Sequence, residues 1–139
     1  MVARGPALPI HLGSMPLAVK AVIRAFPTFA PGDVFMSVVP APFGFGVWTS
    51  HVTPVLLGAP TVLLPRFSAE ETIAAIERHR VTVLAAVSTQ FVMMLNSPEL
   101  GRRDLSSLRV LFTGGEAVPE SRAAEFEARP GARVPQLYG

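Results

Sequence analysis

VLFTGGEAVPE, residues 110–120, is an apolar run that ends abruptly at two glycines and an acid, with a proline just beyond. A continuous apolar run of this kind is typical of a strand in a parallel sheet that helices cover on both faces. Gly114 and Gly115 permit positive φ angles and let a ligand or another strand approach the backbone. Glu116 could accept a hydrogen bond from an amine or stabilise the N-terminus of the next helix. Taken alone, this ending favours a tight structural turn over a ligand site.

The composition of the chain narrows its class before any motif is considered. Its 139 residues suffice for one ordinary domain or a piece of a larger one, and half of them are hydrophobic. A mean hydropathy of +0.43 is high for a free-standing domain of this size and is expected of a subdomain that packs against further protein. The net charge is only +2, with Lys20 as the sole lysine, so no basic patch indicates nucleic-acid binding.

Cysteine usage and hydropathy bear on where the protein works. The sequence has no cysteine, which excludes disulfide scaffolds, cysteine-ligated zinc and thiol nucleophiles and gives no sign of secretion. The N-terminal apolar run is too short for a signal peptide. The most apolar stretch, residues 81–95, carries Ser88, Thr89 and Gln90 in its middle and is shorter than the about 20 residues that cross a membrane. We therefore expect a cytoplasmic protein without a membrane span.

Strand patterns and helix patterns alternate along the chain. Strands are predicted at 34–39, 61–64, 81–87, 108–113 and 133–137, and helices at 16–26, 47–57, 68–80, 89–96 and 119–128. Pro54 should kink or interrupt the second helix, and Gly58 should end it. Ser68 and Glu71 match a capping box at the start of the third. The alternation predicts an α/β fold, a three-layer sandwich with a mainly parallel sheet of about five strands.

Ligands bind to parallel sheets beyond the carboxyl ends of the strands. Three predicted loops lie there, after Val39, Val87 and Thr113, and a fourth would follow Leu137. None has the glycine pattern of a dinucleotide-binding turn or of a phosphate loop. The three histidines have neither metal-ligand spacing nor a paired carboxylate, and no catalytic triad can be argued from their positions: His11, His51 and His79.

Two sets of residues near these strand ends allow both a structural and a binding interpretation. Phe43, Phe45 and Trp48 lie among glycines and prolines, where they either cap the core or form the wall of a pocket for a flat or apolar ligand. Ser88 and Thr89 are expected to cap the next helix and could also edge a pocket.

Taken together, these segments resemble the AMP-forming adenylate-forming enzymes, which include acyl-CoA synthetases, firefly luciferase and adenylation domains. Residues 33–95 are similar to the middle of the family's large N-terminal domain. DLSSLRVLFTGGEAVPE (104–120) resembles its D-L-S-S-L-R…G-G-[AE]-x-[LV] segment, and QLYG (136–139) resembles the opening of its Y-G-x-T-E motif. Residues 31–139 would then be a central subdomain of the AMP-binding domain, and residues 1–30 an N-terminal extension with the first helix. Acyl-CoA ligases for cyclic or aryl carboxylates look most similar.

The resemblance implies a reaction in two halves. A carboxylate attacks the α-phosphate of ATP to give an acyl-adenylate and pyrophosphate, and a thiol, usually coenzyme A, then displaces AMP to form a thioester. Mg²⁺ offsets the phosphate charge in this chemistry. The implied cofactors of the intact enzyme are thus ATP, Mg²⁺ and coenzyme A. The implied partners are a small carboxylic acid, a nucleotide and the remainder of the enzyme.

The resemblance also implies binding residues, position by position. The adenine pocket would be formed by Gly114, Gly115 and Glu116, with Tyr138 stacked on the base. The acyl pocket would be formed by Phe43, Phe45, Gly46, Val87, Thr89 and Gly139. Phe43 stands where many members carry the histidine of P-x-x-H-x-x-G, so an apolar gate replaces a polar one. Ser88 stands where many members carry the proline of V-P-T.

Several parts of the family's machinery are not among the 139 residues. These are the Thr/Ser/Gly-rich phosphate loop with its lysine, the Thr-Glu after Y-G, the ribose-binding aspartate, the hinge and the C-terminal domain. We therefore expect a fragment of an acyl-CoA ligase that is inactive alone, with no catalytic residue or metal ligand and no tight binding of the three cofactors. The alternatives are a non-catalytic α/β module that binds a nucleotide or a protein, and a small Rossmann-like transferase, which the missing glycine fingerprint weakens.

Overall fold

A computed structural model of the chain describes residues 32–114, together with residues 121, 124, 125, 128, 136 and 137. The chain divides into two units between residues 30 and 31, and all the described residues lie in the second. Five parallel strands form its sheet: β1 (Phe35–Ser37), β2 (Thr61–Val62), β3 (Val83–Ala85), β4 (Val110–Gly114) and β5 (Gln136–Leu137). Their spatial order is β2-β1-β3-β4-β5. The predicted α/β fold with a parallel sheet is confirmed.

Helices cover both faces of this sheet. They are α1 (Gly44–Val47), a π-helical segment (Trp48–Val52), α2 (Thr53–Leu57), α3 (Ala69–His79) and α4 (Ser88–Leu95), followed by a 3₁₀ turn (Pro98–Gly101). Met36 belongs to the core formed with α3 and α4, whereas the next residue, Ser37, is hydrogen-bonded through Oγ to Thr49 Oγ1 of the π-helical segment at 2.8 Å. Since successive side chains of a strand point to opposite faces, the helices form the two outer layers of the predicted sandwich.

The elements differ from the predicted ones mainly at their ends. The second helical region begins at Gly44 instead of 47, is π-helical immediately before Pro54, and ends at Gly58 with a φ angle of 63°. Pro54 has no N–H for the helical ladder, which accounts for the irregular segment before its turn. The predicted helix 16–26 lies outside the described residues. Of the predicted helix 119–128, residues 121, 124, 125 and 128 are helical.

The caps of α3 form close to where they were predicted. Ser68 Oγ accepts a hydrogen bond from the Glu71 N–H at 3.3 Å, as expected of an N-cap. The Ser68 hydroxyl itself donates to the Glu70 carboxylate at 3.0 Å. At the other end, Arg80 has the left-handed conformation with φ 51° and closes the helix.

Polar side chains of segment 104–109 fasten the connection that leads into β4. Asp104 accepts hydrogen bonds from the Arg80 guanidinium at 2.7 Å and from the Ser106 N–H at 2.9 Å. Ser107 Oγ donates to the Val81 carbonyl at 2.9 Å. Hydrogen bonds from Ser106, followed by the one from Arg80, lower the pKa of Asp104 from 3.8 to about 2. The most recognisable motif of the sequence, DLSSLR, thus acts in the structure as an anchor between α3 and the sheet.

A buried carboxylate joins three strands at the amino edge of the sheet. Asp33 is 4% exposed, accepts a hydrogen bond from the Thr82 hydroxyl at 2.8 Å and forms an ion pair with Arg109. Thr82 Oγ1 in turn accepts the Val34 N–H at 3.0 Å. The residues that precede β1, β3 and β4 are therefore held by one network.

A buried amide joins the carboxyl edge. Gln90, in the first turn of α4, donates from Nε2 to the Val38 carbonyl at 2.7 Å and accepts the Val87 N–H on Oε1 at 3.0 Å. These two backbone groups lie just beyond β1 and β3. The N-cap residue of α4 is Val87, so the prediction that Ser88 and Thr89 cap this helix was wrong. Valine has no oxygen to cap with, and the Gln90 side chain takes that role.

Helix α1 touches the backbone that follows β1. A Cβ atom added to Gly46 would lie 2.1 Å from the Pro40 carbonyl oxygen and 2.7 Å from that of Val39. Only glycine allows this approach, because both neighbours are backbone atoms that no rotamer change can move away. The contact sets the position of the first helical turn over the strand end.

Gln90→Ala is expected to destabilise the fold by about 2–4 kcal/mol, because two backbone groups near the strand ends lose their partner. Gln90→Glu should cost nearly as much, since a carboxylate oxygen would then face the Val38 carbonyl. Met93, 54% exposed on the same helix, provides the control Met93→Ala. Denaturant unfolding of the full chain measures all three. A loss for Gln90→Ala no larger than that for Met93→Ala would contradict the bridging role.

Gly46→Ala is expected to lower the free energy of unfolding by about 1–3 kcal/mol, because α1 must move off the loop to make room for the methyl group. Gly44→Ala is the matched control. A Cβ on Gly44 meets nothing within 4 Å, so this exchange should be neutral or stabilise by up to about 1 kcal/mol. Equal effects of the two substitutions in denaturant unfolding would disprove the close approach.

Asp104→Asn is expected to make stability less dependent on pH in the acid range. The folded protein holds the Asp104 pKa at about 2, below its ordinary value of 3.8, so the unfolded state binds the proton more tightly. The ionised group therefore stabilises the fold fully above pH 3.8, and this contribution disappears as pH falls toward about 2. Unfolding measured from about pH 5 to about pH 2 should show the gap between parent and variant narrowing. A constant gap would count against this pairing.

Candidate functional site

The carboxyl edge of the sheet brings three separate segments of the chain together. The loop after β1 and the start of α4 are tied by Gln90, which contacts Val38 and Val87. In the paired strands β3 and β4, Ala85 lies beside Phe112. Two residues further along, Val87 is the N-cap of α4 and Gly114 is the last residue of β4. The candidate site is therefore defined by the ends of β1, β3 and β4, which is where parallel sheets bind ligands.

The aromatic residues of the first segment do not all lie in a loop. Phe43 immediately precedes α1 and is 64% exposed. Phe45 is half-buried and Gly46 is buried, and both belong to α1 instead of the expected loop. Trp48 begins the π-helical segment and is partly buried. Phe43 thus presents an aromatic surface at the strand ends, whereas Phe45 and Gly46 form the turn behind it.

The second and third segments supply smaller groups. Val87 is half-buried at the N-terminus of α4, and Thr89 is exposed in its first turn. Gly114 is the buried last residue of β4. The other residues proposed for the pocket lie outside the described residues: Gly115, Glu116, Tyr138 and Gly139.

One polar side chain of the site escaped prediction from the sequence. Thr113, beside Gly114 in β4, is fully buried, and its Oγ1 has no hydrogen-bond partner within the described residues. A buried hydroxyl without a partner costs about 1–3 kcal/mol. Threonine is common in strands, so its position at the end of the apolar run VLFT gave no reason to predict a functional role. The end of β4 therefore carries a buried hydroxyl that forms no hydrogen bond with the described residues.

The described residues offer no site for Mg²⁺. In residues 32–114 and the six later positions, no three His, Asp or Glu side chains are placed to hold a metal ion. His51 is exposed in the π-helical segment and His79 is exposed at the end of α3, while His11 lies outside the described residues. No step of a reaction is therefore assigned to a metal here. In the same part of the chain, no helix combines the length and the apolar character that crossing a membrane requires.

Known proteins match the chain in both sequence and fold. The family model for AMP-binding enzymes matches residues 11–139. Indoleacetate–CoA ligase from Aromatoleum aromaticum is 39% identical over 108 residues, which cover 77% of this chain and 21% of that protein. Benzoate CoA ligase from Burkholderia xenovorans LB400 superimposes with a TM-score of 0.75 at 27% identity, over 88% of this chain and 26% of that one.

A third match concerns the fold alone. ATP-bound MatB from Rhodopseudomonas palustris has a TM-score of 0.78 at 21% identity, over 91% of this chain and 24% of that one. The chain spans about a fifth of the length of the curated relatives it matches. The family match covers most of the chain and agrees with the parallel sheet and its strand-end segments. The chain therefore belongs to the family of AMP-binding enzymes.

Proposed function

We propose that residues 31–139 form one wall of a site in which a carboxylic acid is joined to AMP and then passed to the thiol of coenzyme A. The observation that carries this proposal is the meeting of three strand-end segments at one edge of the sheet, two of which the Gln90 amide ties together. Membership of the family supports this reaction, and the meeting of the three segments supports the position of the site at the carboxyl edge of the sheet. The protein would act in the cytoplasm on small molecules.

The acyl group of the substrate would lie against the first two segments. Phe43 offers an exposed aromatic face, and Phe45 with Gly46 forms the turn that supports it. Val87 and Thr89 would contact the same group from the start of α4, and Gly139 would lie beside the carboxylate. Because an aromatic ring occupies the gate position and no cation is provided there, we expect a flat, apolar acid, either aryl or cyclic.

The nucleotide would lie against the end of β4. Gly114 and Gly115 let the adenylate approach the backbone, Glu116 would contact the adenine, and Tyr138 would stack on it. These residues bind and orient; none of them transfers a proton in the proposal.

Residues 1–139 alone are not expected to catalyse the reaction. The family's phosphate loop with its lysine and the Thr-Glu that follows Y-G are not among these residues. The described residues contain no metal cluster. ATP, Mg²⁺ and coenzyme A would therefore bind only when the remainder of an enzyme of this family completes the site.

The proposal is tested by grafting. Residues 31–139 replace the corresponding segment of the B. xenovorans benzoate CoA ligase, and carboxylate-dependent ATP–pyrophosphate exchange is measured with aryl acids. We expect exchange from the chimera and none from residues 1–139 alone. A folded chimera that binds ATP without supporting exchange would contradict the proposed function and favour a non-catalytic binding module. ATP–pyrophosphate exchange by residues 1–139 alone would contradict the expectation that they are inactive without the rest of the enzyme.

The acyl wall has its own test in the active chimera. Phe43→Ala should raise the KM for the aryl acid by about tenfold, because an apolar contact of one ring is lost. Met93→Ala, which removes an apolar side chain of similar exposure outside the proposed wall, is the control and should leave KM unchanged. If the KM of the Phe43→Ala variant is unchanged, Phe43 does not contact the acyl group, and its assignment to the acyl pocket is wrong.

A further inference from the structure

The outer edge of β2 offers backbone groups to a further strand. β2 is the first strand in the sheet order, and among the described residues β1 is its only neighbour. The Pro60 carbonyl accepts the Phe35 N–H of β1 at 2.9 Å. Because the backbone groups of successive strand residues point to alternate sides, those of Thr61 and Leu63 point away from β1. These groups form no hydrogen bond within the described part of the chain.

The side chains of this segment divide between the two faces of the sheet. Val62 and Leu64 pack against the core that includes α3 and α4. Since successive side chains of a strand alternate, Leu63 lies on the other face, which the π-helical segment and α2 cover. Leu63 is 52% exposed there, so the helical region leaves an apolar side chain uncovered beside the open edge.

Helix α2 adds exposed apolar side chains on the same face. Val55 is 78% exposed and Leu56 is 64% exposed, and Leu57 is also exposed. The π-helical segment that leads into α2 contacts β2, and α2 itself ends shortly before β2 begins. Exposed leucine and valine side chains that cluster in this way mark a surface that another protein covers.

The edge of β2 and the exposed face of α2 carry no fixed charge. Residues 34–65 contain no Asp, Glu, Lys or Arg, and the net charge of +2 comes from other parts of the sequence. A strongly charged partner would find nothing to pair with here. Two copies of this surface, in contrast, bring no like charges together, and like-charge contact is the usual obstacle to self-association.

A two-fold axis through Val62 lets two copies satisfy each other's edge. In the resulting antiparallel pairing, Thr61 of each copy lies opposite Leu63 of the other, and each such pair exchanges N–H···O=C hydrogen bonds. The same rotation brings the exposed side chains of the two α2 helices to the same side of the joined sheet. Such an interface is self-complementary, as two-fold contacts between identical chains must be.

The pairing cannot extend beyond these residues. In this register Ala59 of one copy lies opposite Pro65 of the other. The Ala59 N–H is already donated to the Pro54 carbonyl at 2.9 Å, and Pro65 has no N–H. The ladder therefore ends at both sides, and the contact closes as a pair of chains instead of continuing as a filament.

We propose that the outer edge of β2 and the exposed face of α2 form a dimer interface between two copies of this chain. The parallel sheet of one copy continues through the antiparallel pair of β2 strands into the sheet of the other. The interface is separate from the strand-end segments at Val38, Val87 and Gly114 and does not depend on the proposed adenylation.

Self-association of the full 139-residue chain is the first test. In sedimentation velocity, the mass should rise from that of the 14.8 kDa monomer to twice this value as the concentration increases from about 1 to about 100 μM. Leu56→Lys and Leu63→Lys should each raise the dimer Kd by about tenfold or more, because an unpaired charge would be buried. Met93→Lys, at a side chain of similar exposure on α4, is the control and should leave the Kd unchanged.

Cross-linking tests the two-fold register, since the sequence contains no cysteine. Val62 would lie opposite its own copy as a non-hydrogen-bonded antiparallel pair, whose Cα atoms are about 4.5 Å apart and within reach of a disulfide. Mild oxidation of the Val62→Cys variant should therefore give a covalent dimer on a non-reducing gel. The Met93→Cys variant should give none, and adding Leu56→Lys to Val62→Cys should reduce the yield.

Four results would overturn the inference, each obtained with chains whose fold circular dichroism confirms. The first is a monomer mass at every concentration. The second is equal Kd values for the Leu56→Lys, Leu63→Lys and Met93→Lys variants. The third is equal cross-linking through cysteines at positions 62 and 93. The fourth is association into large aggregates that neither lysine variant of the interface reduces.

Discussion

The hydrogen bonds of one buried amide determine where the ends of two strands lie. β1 and β3 are each only three residues long, so their ladder alone gives little control over the loops that follow. Gln90 donates to the Val38 carbonyl, 52 residues earlier in the chain, and accepts the N–H of Val87 in its own loop. Because a buried backbone group without a partner is costly, the two loops are held in register. The candidate site depends on that register.

The strand ends are joined by charged groups at the amino edge of the sheet and by a neutral amide at the carboxyl edge. At the amino edge, Asp33, Thr82 and Arg109 join three strands through a charged network. At the carboxyl edge the joining group is a neutral amide, surrounded by glycines, prolines and an exposed aromatic ring. Charge that stabilises the fold is therefore kept away from the edge where the ligand would bind. There, an acid and a nucleotide would meet backbone and apolar surface, with their charges left to other parts of the site.

The sequence predicted what depends on local patterns and missed what depends on distant contacts. Apolar runs identified all five strands, because a strand buried on both faces needs a continuous run. The start of the helical region at Gly44 was missed, since two glycines in four residues argue against a helix. The contact with Pro40, which the sequence does not reveal, explains one of them, Gly46. Gln90 and Asp33 were missed because their partners lie about 50 residues away. The family resemblance supplied the candidate pocket residues, and the binding roles of all of them stay predictions.

Gly46 supports the candidate acyl wall through its own backbone. Its Cα packs against the Pro40 carbonyl, which positions the turn that carries Phe45, and its carbonyl accepts the hydroxyl of Ser50, which orients His51. In the π-helical segment that follows Val47, Thr49 is hydrogen-bonded to Ser37 of β1, so the helix is attached to the strand as well as to the loop. A larger residue at position 46 would push the helix away from this loop and displace the turn that carries Phe45. Glycine is therefore required at the point where the helix meets the backbone after β1.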